Sequence, residues 1–133
     1  MIGDPHHLPR WWPRVSRVEG VQDGAFTEVL MSARGKVVRA DFRLLDEVNL
    51  SRVVWAQQVE NTPFARVLKS AETEIGLVEA DRGGGQPATE VRIELRQTLQ
   101  GFLARLGGHL VRRAAASTIE EALDGLERIV GRR

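Results

Sequence analysis

The sequence predicts an α+β fold in which a curved antiparallel sheet of about six strands closes around one long C-terminal helix. Three observations carry that reading. Residues 15–99 fall into short segments that alternate apolar with charged side chains, the two-residue period of strands with one buried face. Hairpin-length turns join the segments, so neighbours run antiparallel and the sheet is covered on one side only. Residues 101–131 contain no proline and change to helical spacing, which supplies the cover.

Taken in order, Asp4-Pro5 is a helix start, the carboxylate capping and the proline at the first helical position. This helix, residues 4–12, is short because Pro9 and Pro13 interrupt it, and Trp11 and Trp12 are large aromatics that call for burial. Residues 15–21 form a weak strand ending at Asp23-Gly24. Residues 26–34 follow, with Val29, Met31 and Ala33 alternating against Glu28, Leu30 and Ser32, and Met31 assigned to the inner face. In residues 37–46, Val38, Ala40, Phe42 and Leu44 share one face and Arg39, Asp41 and Arg43 the other. Residues 51–60 place Val53, Trp55, Gln57 and Val59 together until Asn61-Thr62-Pro63 breaks the strand. Residues 65–80 set Ala71, Thr73, Ile75 and Leu77 opposite Glu72, Glu74 and Gly76. After a glycine-rich hairpin loop, residues 89–99 set Val91, Ile93, Leu95, Gln97 and Leu99 opposite Glu90, Arg92, Glu94 and Arg96.

Two apolar rows run through the long helix at a spacing of four: Leu106, Leu110, Ala114, Thr118, Ala122, Leu126 and Val130, and beside them Leu103, Gly107, Val111, Ala115, Ile119 and Leu123. Each step of four overshoots a turn by about 40°, so these rows wind around the helix and call for a partly wrapping sheet. A coiled coil needs a mean spacing of 3.5, which the rows do not keep. Adjacent Gly107-Gly108 costs about 1 kcal/mol per glycine relative to alanine, so a close approach or a ligand should compensate there.

A chain of 133 residues, 42% apolar and 28% charged, reads as one domain spanning residues 1–133 with room for a real core. A net charge of +1 without a basic stripe gives no reason to expect nucleic acid. The absence of cysteine excludes disulfides and thiolate sites. No apolar run approaches the roughly 18 residues of a membrane span and the N-terminus lacks signal-peptide order, so the expected location is cytoplasmic. No metal or cofactor is expected: His6 and His7 are adjacent and point apart, and His109 lies away from the apolar rows. There is no nucleophile elbow, phosphate loop or HExxH, and the paired carboxylates Glu72/Glu74 and Glu90/Glu94 fall on charged outer faces.

At the residue level, HHLPRWWPRV, VVWAQQVENTPFARVL and TEVRIELRQTLQGFLARLGGHLVRRAAASTIEEALDGLERIV resemble the polyketide cyclase/dehydrase-like branch of the SRPBCC (START-like, birch-pollen-allergen-like) superfamily. Trp11-Trp12-Pro13, Thr62-Pro63-Phe64 and the run from Arg105-Leu106-Gly107-Gly108 to Arg112-Arg113-Ala114 are its most specific pieces. The resemblance implies the helix-grip architecture and a hydrophobic cavity between sheet and helix that takes lipids, polyketides or other apolar molecules, with chemistry in only some members. Similar proteins usually begin with a further strand and helix. Without them the last strand keeps an unpaired edge, a pairing site for another chain: the expectation is either a truncated or mis-started chain or a partner that closes the edge, with a homodimer favoured.

The ligand-binding candidates are therefore Met31, Phe42, Trp55, Ile75, Val91, Ile93 and Leu95 from the sheet, Leu103, Leu106, Gly107, Leu110 and Val111 from the helix, and the polar Gln57, Thr73 and Gln97 on otherwise apolar faces. Buried without partners, those three would be costly, so they should bond internally, meet a ligand or sit at wet strand ends. The first functional expectation is binding of an apolar small molecule. The alternatives are a cyclase/dehydratase-type enzyme and a protein-interaction module using the open sheet edge. The inner faces as assigned hold no His, Asp, Glu or Tyr, which counts against the enzyme; an inward carboxylate would favour it.

Overall fold

The computed structural model describes residues 2–32, 34–48, 51–81, 83–85, 87–100 and 108–130. A 3₁₀ turn over Pro5–His7 and helix α1, Leu8–Trp11, lead into strands β1 Val15–Gln22, β2 Ala25–Met31, β3 Val37–Val48, β4 Arg52–Gln57, β5 Leu68–Asp81 and β6 Pro87–Leu99, and the long helix α2 covers Gly108–Val130. The six strands form one antiparallel sheet in sequence order, β1-β2-β3-β4-β5-β6, so the chain is an uninterrupted meander. Its edges are β1 and β6.

Local chemistry accounts for the start of each element. Asp4 caps the first turn by accepting the His6 amide at 3.0 Å, as the Asp-Pro pair predicts. Asp23 and Gly24, with φ of 50° and 72°, make the two-residue turn between Gln22 and Ala25, a conformation glycine adopts without a Cβ penalty. Pro63–Arg66 is a 3₁₀ turn where the sequence reading already begins the next strand, because proline at its start fixes φ and removes a ladder donor.

Phe26 sets the parity of β2. It is 3% exposed, stacks on Phe42 at 5.2 Å between ring centroids, and meets Trp55 edge-on at 4.7 Å. With Phe26 on the concave face, the two-residue period puts Glu28 and Leu30 there too. The expected assignment of Val29, Met31 and Ala33 to the inner side is thus reversed: Val29 is buried on the opposite face, in register with Arg17 and Arg39. Ala33 lies outside the described residues.

The core gathers Leu8, Trp11, Val15, Phe26, Val53, Trp55 and Ile75 with Ala122 and Leu126 of α2. Contacts follow a straight stripe on α2: Val111, Ala115, Thr118, Ala122, Leu126 and Ile129 are buried or half-buried, and their mean spacing is the 3.6 of an undistorted helix. The two winding rows do not both face the sheet. Leu110 is 67% exposed, since twelve residues back from Ala122 leaves it about 120° around the axis.

At Gly125 helix α2 touches α1. A Cβ placed on Gly125 would lie 2.4 Å from the Trp11 carbonyl oxygen, so only glycine lets the two backbones meet here. The convex face of the sheet carries the charges: Arg52 bonds Glu74 at 3.1 Å, and Arg96 reaches Glu72 at 3.2 Å and Glu74 at 3.0 Å. The Glu72/Glu74 pair is accordingly an ion-paired surface, as its outward position predicts.

Candidate functional site: the cavity between sheet and helix

Where the N-terminal half of α2 passes over the concave face, small side chains leave room. Ala40 and Ala71 on the sheet face Val111, Ala114, Ala115 and Thr118 on the helix, and between them lies a cavity of about 460 Å³. That volume is in the range of small-molecule sites. Leu8, Leu30, Phe42, Phe64, Ile75 and Leu95 extend its apolar wall, and Trp12, Pro13, Arg14, Met31 and Ser32 also line it. Arg14 has φ of 66°, left-handed for a residue with a side chain, and its carbonyl accepts the Met31 amide at 2.9 Å, which ties this segment to β2.

Of the candidates named from sequence, Met31, Phe42, Gln57, Thr73, Ile75, Leu95, Gln97 and Val111 line the cavity. Met31 does so from an exposed position and not, as expected, from a buried face. Trp55, Val91 and Ile93 face inward but pack in the solid cluster with Trp11, Ala122 and Leu126, because their level along the strands lies under the closed half of α2. Leu110 is exposed and does not line the cavity. Leu103, Leu106 and Gly107 lie outside the described residues. We expect Leu110→Ser to change unfolding free energy by less than about 0.5 kcal/mol in urea titrations; a loss of 2 kcal/mol would put Leu110 back in the core.

Polar groups interrupt this apolar wall. Glu28, directly opposite Ala40 in the β2–β3 register, is 7% exposed and has no hydrogen bond or ion pair among the described residues. Burial alone pushes its carboxyl up to about 7. Gln57, opposite Phe42 on the far side of β3, has a buried Nε2 without an acceptor among the described residues. Thr73 is half-buried, and Gln97 is exposed, the wet position anticipated for such residues. Glu28 overturns the expectation that no inner face carries a carboxylate. The available signal was Phe26, whose parity points to Glu28.

Elsewhere, His6 and His7 sit beside Asp4, with His6 Nδ1 at 2.9 Å from Asp4 Oδ1 and His7 Nε2 at 3.7 Å from Oδ2. Among the described residues no group of three or more His, Cys, Asp or Glu could hold a metal ion, and no helix is long and apolar enough to cross a membrane.

Residues 1–131 match the family model described as polyketide cyclase / dehydrase and lipid transport. No curated protein matches the chain. Among solved structures, a START superfamily protein from Mycobacterium smegmatis aligns at a TM-score of 0.73 and 14% identity, covering 98% of this chain and 84% of its own. A conserved protein from Geobacillus kaustophilus aligns at 0.74 and 14%, covering 98% and 83%. At this identity the structures show a shared fold.

Proposed function

The chain belongs to the polyketide cyclase / dehydrase and lipid transport family, and from that premise we propose that it binds a hydrophobic small molecule, lipid- or polyketide-like, in the cavity between sheet and helix. The observation that carries this reading is the cavity itself, lined by small apolar side chains from both layers. Each Å² of ligand surface removed from water there would contribute about 25 cal/mol. In native mass spectrometry the folded protein should carry a co-purified apolar molecule that is absent from the denatured spectrum. Ala115→Trp, a half-buried position on the cavity side of α2, should abolish that adduct and weaken binding of an apolar fluorescent probe at least tenfold while leaving the thermal midpoint near that of the parent. Equal probe binding by parent and variant would refute the reading.

Glu28 supports a second reading, an enzyme of the cyclase/dehydratase type. A carboxyl near half-protonation at neutral pH, enclosed in an apolar cavity, is suited to exchange a proton with a bound substrate.

The edge of β6, unpaired among the described residues, supports a homodimer. Along its outer face Glu90, Arg92, Glu94 and Arg96 alternate in sign, and a two-fold antiparallel pairing centred on Ile93 sets Arg92 against Glu94 and Glu90 against Arg96 of a second copy. The same native spectrum tests it: a mass of twice 14.8 kDa is expected, and a stable monomer at high concentration would refute it.

A further inference from the structure

We propose that Glu28 and Gln57 form the polar end of the cavity, a pair of hydrogen-bond donors for the carbonyl oxygen of an otherwise apolar ligand. This rests on the ligand-binding reading above and names the chemistry of the ligand.

Two polar groups face one largely apolar cavity. The Glu28 side chain, 7% exposed, enters it from β2 with no hydrogen bond or ion pair among the described residues, and Gln57 Nε2 enters it from β4, buried and without an acceptor among those residues. Buried polar groups are nearly always paired, so an unpaired Gln57 Nε2 with the Glu28 carboxyl facing the same cavity points to a ligand partner. The strand between them keeps them from bonding each other: two strand spacings separate their backbones by about 10 Å across the sheet, and their registers differ by one pair, about 7 Å along it. Ala40, opposite Glu28 on the intervening strand, leaves room between the two side chains, and Ala71 widens the cavity beyond Gln57.

The type of partner follows from what each group offers. An amide Nε2 only donates, so it requires an acceptor, and an alkylammonium ion would leave it unpaired. Apolar surroundings favour the neutral form of the carboxyl, which also donates, and a ligand carboxylate beside it would suffer like-charge repulsion whenever Glu28 ionised. A neutral carbonyl oxygen, with two lone pairs, accepts from such donors and brings no charge into the cavity. Arg14 lies exposed at the cavity wall and Glu72 is paired to Arg96 on the convex side, so neither occupies the space between Glu28 and Gln57.

Four naphthalenes of similar size test the proposal on the intact protein: 2-acetylnaphthalene, 2-ethylnaphthalene, 2-naphthoate and 2-naphthylmethylamine, with affinities from titration calorimetry and the bound ketone's carbonyl stretch from infrared difference spectra. The ketone should bind roughly tenfold more tightly than the ethyl compound, the scale of two ordinary hydrogen bonds after desolvation of the ketone. Its stretch should move to lower frequency on binding. Gln57→Leu and Glu28→Leu should each reduce the ratio of ketone to 2-ethylnaphthalene affinity and part of the frequency shift while both compounds still bind, a readout that loss of folding would not produce. Equal binding of ketone and ethyl compound would overturn the subsite and leave the apolar cavity standing. Tightest binding of the amine would assign Glu28 to a cation, tightest binding of the naphthoate would shift recognition to Arg14, and either would overturn the proposal. Failure of all four to bind would overturn the ligand-binding reading together with it.

Discussion

Gly125→Ala is expected to destabilise the protein by about 2 kcal/mol, although alanine is the better helix former. The helical preference for alanine over glycine favours the variant by about 1 kcal/mol. Against it, the new methyl would stand 2.4 Å from the Trp11 carbonyl oxygen. The neighbouring atoms are the Trp11 backbone, so no side chain can rotate away, and α1 must move from α2. That movement disturbs Leu8 and Trp11, which are buried in the same cluster as Ala122 and Leu126. Overpacking of this kind typically costs 1–3 kcal/mol, and where backbone must shift the upper part of that range applies. For a chain of this length the thermal midpoint should fall by roughly 5–10 °C. Trp11, 2% exposed, should report the displacement by a red shift of its fluorescence. Gly3→Ala is the control, because nothing lies within 4 Å of a Cβ there. A Gly125→Ala midpoint at or above the parent's would show that the helices do not meet at this residue.

Residues with a clean two-residue period were legible. Val38, Ala40 and Phe42 on β3, Val53, Trp55 and Gln57 on β4, and the alternating faces of β5 and β6 follow directly from apolar-charged alternation, as does the sheet's one-sided cover. The β2 segment was not, because Phe26 and Leu30 are apolar on one parity and Val29 and Met31 on the other. Counting apolar residues chose the wrong face. Size decides instead: one phenyl ring stacked between Phe42 and Trp55 outweighs two aliphatic side chains. The helix misled for another reason. A four-residue row is a real regularity of the letters, yet a straight helix in contact along its length uses 3.6, so the buried stripe borrows Val111 and Ala115 from one row and Ala122 and Leu126 from the other. Gly125 carried a weaker signal, an isolated glycine inside a helical pattern, which costs about 1 kcal/mol and calls for a packing reason.

Glu28→Gln should stabilise the protein by about 3 kcal/mol at pH 8 and by almost nothing at pH 4. Burial pushes the native carboxyl up to about 7, from its ordinary value of 4.5. Between those values the folded protein holds a proton that the unfolded chain releases, so stability falls as pH rises through this window by about 1.4 kcal/mol per pH unit, and the loss is complete above pH 7. Below pH 4.5 both states are protonated and the carboxyl costs no more than an amide. Other carboxylates act in a different range. Asp4 is held low by the His6 amide, Glu19 by Arg17 and Glu74 by Arg52, and each loses its contribution only as pH falls below the ordinary carboxylate range. They occur equally in parent and variant and cancel in the difference. Urea titrations of both proteins at pH 4, 5.5, 7 and 8.5 therefore isolate Glu28. A gap that does not widen with pH would mean that the native carboxylate is satisfied. A gap that widens as expected means that the fold carries a carboxyl it would be more stable without, on the wall of its cavity and beside a second unsatisfied group. Packing gives no reason to keep it, whereas a ligand oxygen that accepts a hydrogen bond from it would return part of the lost stability on binding.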